Sequence, residues 1–203
     1  MYIEYLGHSC FYIRGEAFSV VTDPFSGIGY PLKRVRSDFV LSSHGHFDHN
    51  NFDGVDCDVR VTGSYGQFTA IPCYHDEASG TKRGENNAFY FNVDGLNVLH
   101  LGDLGEPFDP VSASKFSLPV DVLFLPVGGV YTVDAKEAKK YADHIGARVT
   151  VIMHYKTARS NINIAEPEEY LSICGGYQKV ENGFEITAEN ICNYKKTLIV
   201  SFD

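Results

Sequence analysis

The stretch Phe39-Val40-Leu41-Ser42-Ser43-His44-Gly45-His46-Phe47-Asp48-His49 decides how this chain is read. An apolar run of strand character gives way to two small residues, and then four strong metal-binding side chains fall within six positions. Imidazole nitrogen and carboxylate oxygen suit borderline divalent ions such as zinc, and the lack of cysteine among the four speaks against a purely structural zinc knot. Asp48 and His49 are adjacent, so their side chains diverge and are hard to bring onto the ion that His44 and His46 would hold. The spacing therefore points to two neighbouring ions served by one loop. A His-Glu-x-x-His helix, with two histidines on one helical face around a glutamate base, is a different pattern, and neither its order nor its glutamate is present in this loop.

Outward from that loop, other ligand-type residues also sit where apolar runs stop. Asp23 follows Phe18 to Thr22, His75 follows Phe68 to Cys73, Asp103 follows Leu96 to Gly102, and His154 follows Val149 to Met153. A rigid sheet delivering side chains from strand ends is how a metal pocket is normally preorganised. Further strands are expected at Tyr2 to Leu6, Cys10 to Arg14, Val120 to Leu125 and Thr197 to Phe202. Asp94-Gly95 and Asn182-Gly183 each separate two such runs, and both dipeptides predict type I′ hairpins. Asp134 with Glu137 resembles a capping box, and Ala135, Ala138, Tyr141, Ala142 and Ile145 recur at helical spacing up to Gly146. A second, short helix is expected from Pro167, with Glu168 and Glu169 in its first turn and Gly175 at its end. The segment from Glu106 to Pro119 has no clear pattern.

The chain has 203 residues, which fits a single domain over 1–203 with a core large enough to need no disulfides. Many strands and few helices predict sheets covered by helices, an α+β or layered α/β architecture. No stretch approaches the roughly 20 apolar residues of a membrane span, and Met1 to Cys10 lacks the charged and apolar regions of a secretory signal. Five widely spaced cysteines without a Cys-x-x-Cys pair fit reduced thiols, and together these features predict a cytoplasmic protein. A net charge of -9 disfavours nonspecific nucleic-acid binding, which depends on Lys and Arg. Nothing in the sequence sets an oligomeric state.

Taken in order, His44, His46, Asp48, His49, His75, Asp103 and His154 resemble the metal-ligand series of the metallo-β-lactamase superfamily. The resemblance implies a four-layer αββα sandwich over nearly the whole chain, with metals at one edge of the paired sheets. It also implies that His44, His46 and His75 hold one ion, that Asp48, His49 and His154 hold the other, and that Asp103 bridges them. By the same resemblance Asp23 lies behind the ligands, accepting a hydrogen bond from a ligand imidazole. A narrower likeness, to the branch that includes ascorbate-6-phosphate lactonase, rests on Leu6-Gly7-His8-Ser9-Cys10-Phe11, on Leu125-Pro126-Val127-Gly128-Gly129 with Tyr131-Thr132, and on Met153-His154-Tyr155.

Two dications, zinc foremost with manganese and iron as alternatives, would supply metal-bound hydroxide at neutral pH. The expected activity is hydrolysis of an ester, lactone or phosphodiester bond in a small, anionic substrate. Asp48 is a candidate for steering protons as well as for ligation. His8 is a candidate substrate or proton contact, Tyr131 a donor to a developing oxyanion, and Lys156 a mobile cation for a substrate anion. Arg83 and Arg159 are weaker candidates of the same kind, and His100 and His144 read as structural. Two other activities use the same fold: a mononuclear iron oxygenase of the persulfide dioxygenase type, and a nuclease related to transfer-RNA processing enzymes. The complete second ligand set argues against the first, and the acidic charge and missing RNA-binding insert against the second. His at position 46 argues against the flavodiiron type.

Overall fold

A computed structural model describes residues 1–202. Its organisation follows from the alternation of side chains along each strand. In the first sheet, Ile3 and Tyr5, Phe11 and Ile13, Val20 and Leu41 turn one way into the main core, whereas Leu6, Cys10, Val21 and Val40 turn the other way into a smaller apolar cluster. A sheet that is apolar on both faces must be covered on both. The second sheet supplies one cover. On the outer side lie Phe25, Ile28 and Tyr30, with Leu32, Val35 and Phe52 packed against that cluster.

The first sheet has the order β12-β1-β2-β3-β4-β5, from β1 (Tyr2–Gly7), β2 (Cys10–Arg14), β3 (Ser19–Thr22), β4 (Arg36–Leu41), β5 (Asp56–Val61) and β12 (Phe184–Glu185). The second has the order β11-β13-β10-β9-β8-β7-β6, from β6 (Thr69–Tyr74), β7 (Glu85–Val93), β8 (Leu96–His100), β9 (Val122–Pro126), β10 (Val149–Met153), β11 (Tyr177–Val180) and β13 (Thr197–Val200). Three helices accompany them among the described residues: α1 (Pro110–Ala113), α2 (Ala135–Ile145) and α3 (Glu168–Ile173). The two mixed sheets with few helices form the expected αββα sandwich, whose layer outside the first sheet is reduced to the segment 24–35 and the single 3₁₀ turn Phe52–Gly54. No helix among the described residues is long and apolar enough to cross a membrane.

Strand direction places the site. β6 and β7 are antiparallel, as are β7 and β8, so β6 runs with β8, and β8, β9 and β10 are parallel. In the first sheet β3 is parallel to β4, and two antiparallel steps make β1 run with β3. Strands sharing a direction end at the same edge of their sheet. The residues that follow β1, β3, β4, β6, β8 and β10 are therefore gathered at one edge, and these are the segments carrying His8, Asp23, His44, His75, Asp103 and His154.

Local chemistry behaves as expected in several elements. Val93 pairs with Leu96 across Asp94 (φ 52°) and Gly95 (φ 81°), the left-handed pair that a type I′ hairpin requires. Asp134 caps α2 by accepting from the amides of Lys136 and Glu137, and Gly146 ends it in the left-handed region. Glu137 does not reciprocate, because its Oε2 accepts from the Phe108 amide at 2.6 Å. The expected hairpin at Asn182-Gly183 is a correction: β11 belongs to the second sheet and β12 to the first, so this dipeptide crosses between sheets. The Asn182 side chain is spent on Tyr5, accepting from its amide at 2.8 Å and donating to its carbonyl at 2.9 Å. The patternless segment holds α1, started by Asp109 with Pro110 at its first turn, and a following 3₁₀ turn.

Candidate metal centre

At the shared sheet edge, one carboxylate oxygen stands among three imidazoles. Asp103 Oδ2 lies 3.1 Å from His49 Nε2, 3.1 Å from His154 Nε2 and 3.3 Å from His75 Nε2. Donor atoms of His44, His46 and His75 converge in one group, those of His8, His49 and His154 in a second, and those of His44, His49 and Asp103 in a third that joins the two. Asp48 borders the second group, with Oδ2 3.5 Å from His8 Nε2 and 3.8 Å from His49 Nε2. All seven residues of the expected ligand series are thus brought together, and His8 is added to them as a possible donor.

The imidazoles are anchored from behind, which aims their other nitrogens inward. Asp23, buried with φ 41°, accepts the Ser43 amide on Oδ1 at 2.7 Å and the Ser43 hydroxyl on Oδ2 at 2.8 Å. The same Oδ2 is 3.1 Å from His49 Nδ1, and Ser43 Oγ is 2.9 Å from His44 Nδ1. One carboxylate therefore orients a histidine from each group, directly for His49 and through a hydroxyl for His44. His75 donates from Nδ1 to the Tyr131 carbonyl at 3.0 Å. Among the described residues, His44 Nε2 and Asp103 Oδ1 are buried without a hydrogen-bond partner, and His8 Nε2 and His49 Nε2 face only the carboxylates of Asp48 and Asp103. Orphaned acceptors are costly in a protein interior. A cluster of them facing one another is what a divalent cation would satisfy, so the residues fit one.

Asp103 is held by a residue that sequence reasoning missed. Asn86, fully buried on β7, accepts the Asp103 amide on Oδ1 at 3.0 Å and donates to the Leu101 carbonyl at 2.9 Å and to Cys73 Sγ at 3.0 Å. Gly102, at φ 54°, leaves room for it: a Cβ there would come within 2.5 Å of Asn86 Oδ1 and 2.6 Å of Ser43 Cβ. Left-handed backbone at His8 (φ 57°) and His154 (φ 51°) marks two further places where the fold holds a residue in an unfavourable backbone conformation.

Electrostatics divide the cluster. Burial, then the neighbouring His154, lowers the His8 pKa to about 4, and burial, then His49, lowers that of His44 to about 3. Both are neutral at pH 7, the state in which imidazole binds metal. Burial also disfavours charge on His49, but Asp103 and Asp23 outweigh it and raise its pKa. Burial would raise the Asp103 pKa, yet His154 and His49 hold it well below the usual carboxylate value. Without a cation, the His49 proton is the charge that balances Asp103.

Other expectations fare differently. Tyr131 borders the cavity beside the cluster and is 38% exposed, while its carbonyl is the group that anchors His75. Lys156 is a correction. Its Nζ donates to the Ser160 carbonyl at 2.6 Å and the Ile162 carbonyl at 2.7 Å, so the ammonium ties down a loop and is not among the residues lining that cavity. Arg83 does line it. His100 is structural, with Nε2 3.0 Å from the Ser9 carbonyl. A second residue missed in the sequence, Asp76, accepts four backbone N–H groups, from Ala78, Gly80, Lys82 and Arg83. The dense turn composition after His75 was its only signal.

Comparison with known proteins shows the family. Residues 2–154 match the beta-lactamase superfamily domain. A UPF0173 metal-dependent hydrolase of Pyrococcus abyssi is 28% identical over 216 residues, covering 88% of this chain and 94% of the relative. A crystal structure from Thermotoga maritima, described as a zinc-dependent hydrolase of the metallo-beta-lactamase superfamily by inference, superposes with a TM-score of 0.78 at 32% identity, covering 98% of this chain and 97% of its own. The metallo hydrolase Igni18 of Ignicoccus hospitalis shares the fold, with a TM-score of 0.67 at 19% identity over 92% of this chain and 99% of its own.

Proposed function

The chain belongs to the beta-lactamase superfamily, and from that premise we propose that residues 1–203 act as one domain, a cytoplasmic hydrolase holding two divalent ions and cleaving an ester, lactone or phosphodiester bond of a small anionic substrate. The observation that carries this reading is the position of Asp103 Oδ2, 3.1 to 3.3 Å from imidazole nitrogens of both histidine groups. Donors that share one ion at about 2.1 Å stand roughly 3.0 to 3.4 Å from each other. His44, His46 and His75 would hold one ion, and Asp48, His49 and His154, with His8 beside them, the other; Asp103 is common to both.

Zinc is the leading candidate, with manganese and iron also suited to nitrogen and oxygen donors. Bound dications lower the pKa of water from 15.7 to about 7 and polarise the oxygen of the bond under attack. The chain's own residues do the rest. Asp23 and the Tyr131 carbonyl fix ring orientation, Asn86 fixes Asp103, Asp48 and His8 stand where a proton can be received, and Tyr131 borders the cavity as the candidate donor to an oxyanion. Five unpaired thiols among the described residues suit a reducing compartment.

Elemental analysis of protein purified without chelator tests the reading, with about two ions per chain, roughly 3.5 to 4 Å apart by X-ray absorption, as the expected result. One ion per chain with Asp48 and His49 unengaged would overturn it.

A further inference from the structure

The cavity beside the cluster is bordered by one cationic side chain, Arg83, that the metal chemistry does not use. It encloses about 620 Å³ and is lined by Asp48, His75 and Asp103 from the cluster and by Phe47, Tyr131 and Arg83 farther out. The Arg83 guanidinium lies over the Tyr131 ring, 5.5 Å from its centroid, and its side chain is 30% exposed. Its Nη1 is 4.0 Å from Glu77 Oε2, the outer limit of an ion pair, and Glu77 is already engaged by Lys82. A guanidinium stacked on a ring and only loosely paired keeps its donor fork free for an oxyanion.

The segment that carries Arg83 is tied to the metal cluster at both ends. It leaves from His75, whose amide donates to the Gly84 carbonyl at 3.1 Å, and the Asp76 carboxylate gathers its turns, accepting the Arg83 amide at 2.7 Å. The ring beneath the guanidinium belongs to the residue whose carbonyl orients His75. Cation and metal ligands therefore share one framework.

We propose that Arg83 is the specificity residue of this site, binding a carboxylate or phosphate-type oxyanion on a substrate whose scissile bond lies at Asp103, and that Asp76 is the residue that positions it. The assignment rests on the hydrolase reading for its chemistry, though not for its binding test. Three 4-nitrophenyl esters separate the possibilities: the glutarate hemiester, the 4-phosphonobutanoate and the neutral pentanoate. With metal-loaded protein, Arg83→Met should raise KM for one or both charged esters by about tenfold or more and leave kcat and KM for the pentanoate within about twofold, with Arg83→Lys recovering part of the loss. Which charged ester responds more identifies the oxyanion. Asp76→Asn should follow the same split, whereas an equal fall on all three esters would mean that Asp76 supports His75 and not Arg83.

Calorimetry with the unreactive anilides of glutaric and pentanoic acid reads binding alone. Wild-type protein should prefer the charged anilide by about tenfold, and Arg83→Met should abolish that preference. A charged anilide bound no better than the neutral one, or a preference surviving in Arg83→Met, overturns the assignment. A preference for charge without turnover of any ester sinks the hydrolase reading and leaves the oxyanion site standing.

Discussion

The two histidine groups differ in depth. His8, His49 and His154 are all buried, as is Asp23 behind them, whereas His46 is exposed and His44 is half-buried. The inner group draws on three segments, those after β1, β4 and β10, with His49 buried in the same loop as His44 and His46, and strained backbone holds His8 and His154. Two members of the outer group come from one loop, and His75 is its only fully buried member. Equal donor chemistry is thus set in unequal scaffolds: the inner half is preorganised by the fold, and the outer half depends on a loop open to solvent.

The largest effect should come from removing what the halves share. Asp103→Ala should lower turnover by more than the ~100-fold typical of losing an outer hydrogen-bond partner of a ligand, while β8 keeps its packing. Rates at saturating metal, read beside thermal melts and repeated with Asp103→Asn, check this; near-normal turnover would show that the halves work independently. Next, the halves should separate on chelation. Titration with a chelator should remove metal in two steps, the outer ion leaving at least about tenfold more readily, because a preorganised ligand set reorganises less on binding. One cooperative step would dissolve the comparison.

Substitutions behind the ligands sharpen it further. Asp23→Asn touches His49 directly and His44 through Ser43, so it should weaken both steps by roughly 10–100-fold. Ser43→Ala removes a hydroxyl that touches His44 directly and His49 only through Asp23, so it should weaken the outer step more than the inner one, and by less than Asp23→Asn does. A Ser43→Ala effect confined to the inner ion would contradict the hydrogen-bond route. The smallest effect lies outside the site: Asn182→Ala loses two bonds to Tyr5 and should cost about 1–2 kcal/mol in chemical denaturation, with metal content unchanged.

The turn at residue 182 also shows how far sequence reading reaches. Asp94-Gly95 and Asn182-Gly183 carry the same local signal, and only the first joins paired strands. A dipeptide specifies a backbone bend, not which sheet the next strand joins; that depends on partners distant in the chain, here Tyr2 and Ile3, which pair with Glu185 and Phe184. β5 escaped notice for a related reason. Its exposed Asp56, Asp58 and Arg60 hide a period-2 pattern of Cys57, Val59 and Val61, as fits a strand at a sheet edge. Lys156 misled because its distance along the chain from His154 carries no information about direction; the loop carbonyls of Ser160 and Ile162 decided where it points.

By itself the sequence determined a layered architecture with ligand-type residues where apolar runs stop, because side-chain alternation, turn chemistry and ligand type are local properties; the sandwich and the seven-donor series came from the family resemblance. Only the tertiary structure decided that His8 joins the inner group, that Asp23 serves His49 directly and His44 through Ser43, that Asn86 holds Asp103 and that Arg83 and not Lys156 faces the cavity. The first three depend on contacts between segments far apart in the chain, set by strand order and direction once the two sheets have packed, whereas Lys156 and Arg83 are aimed by the folding of their own loops.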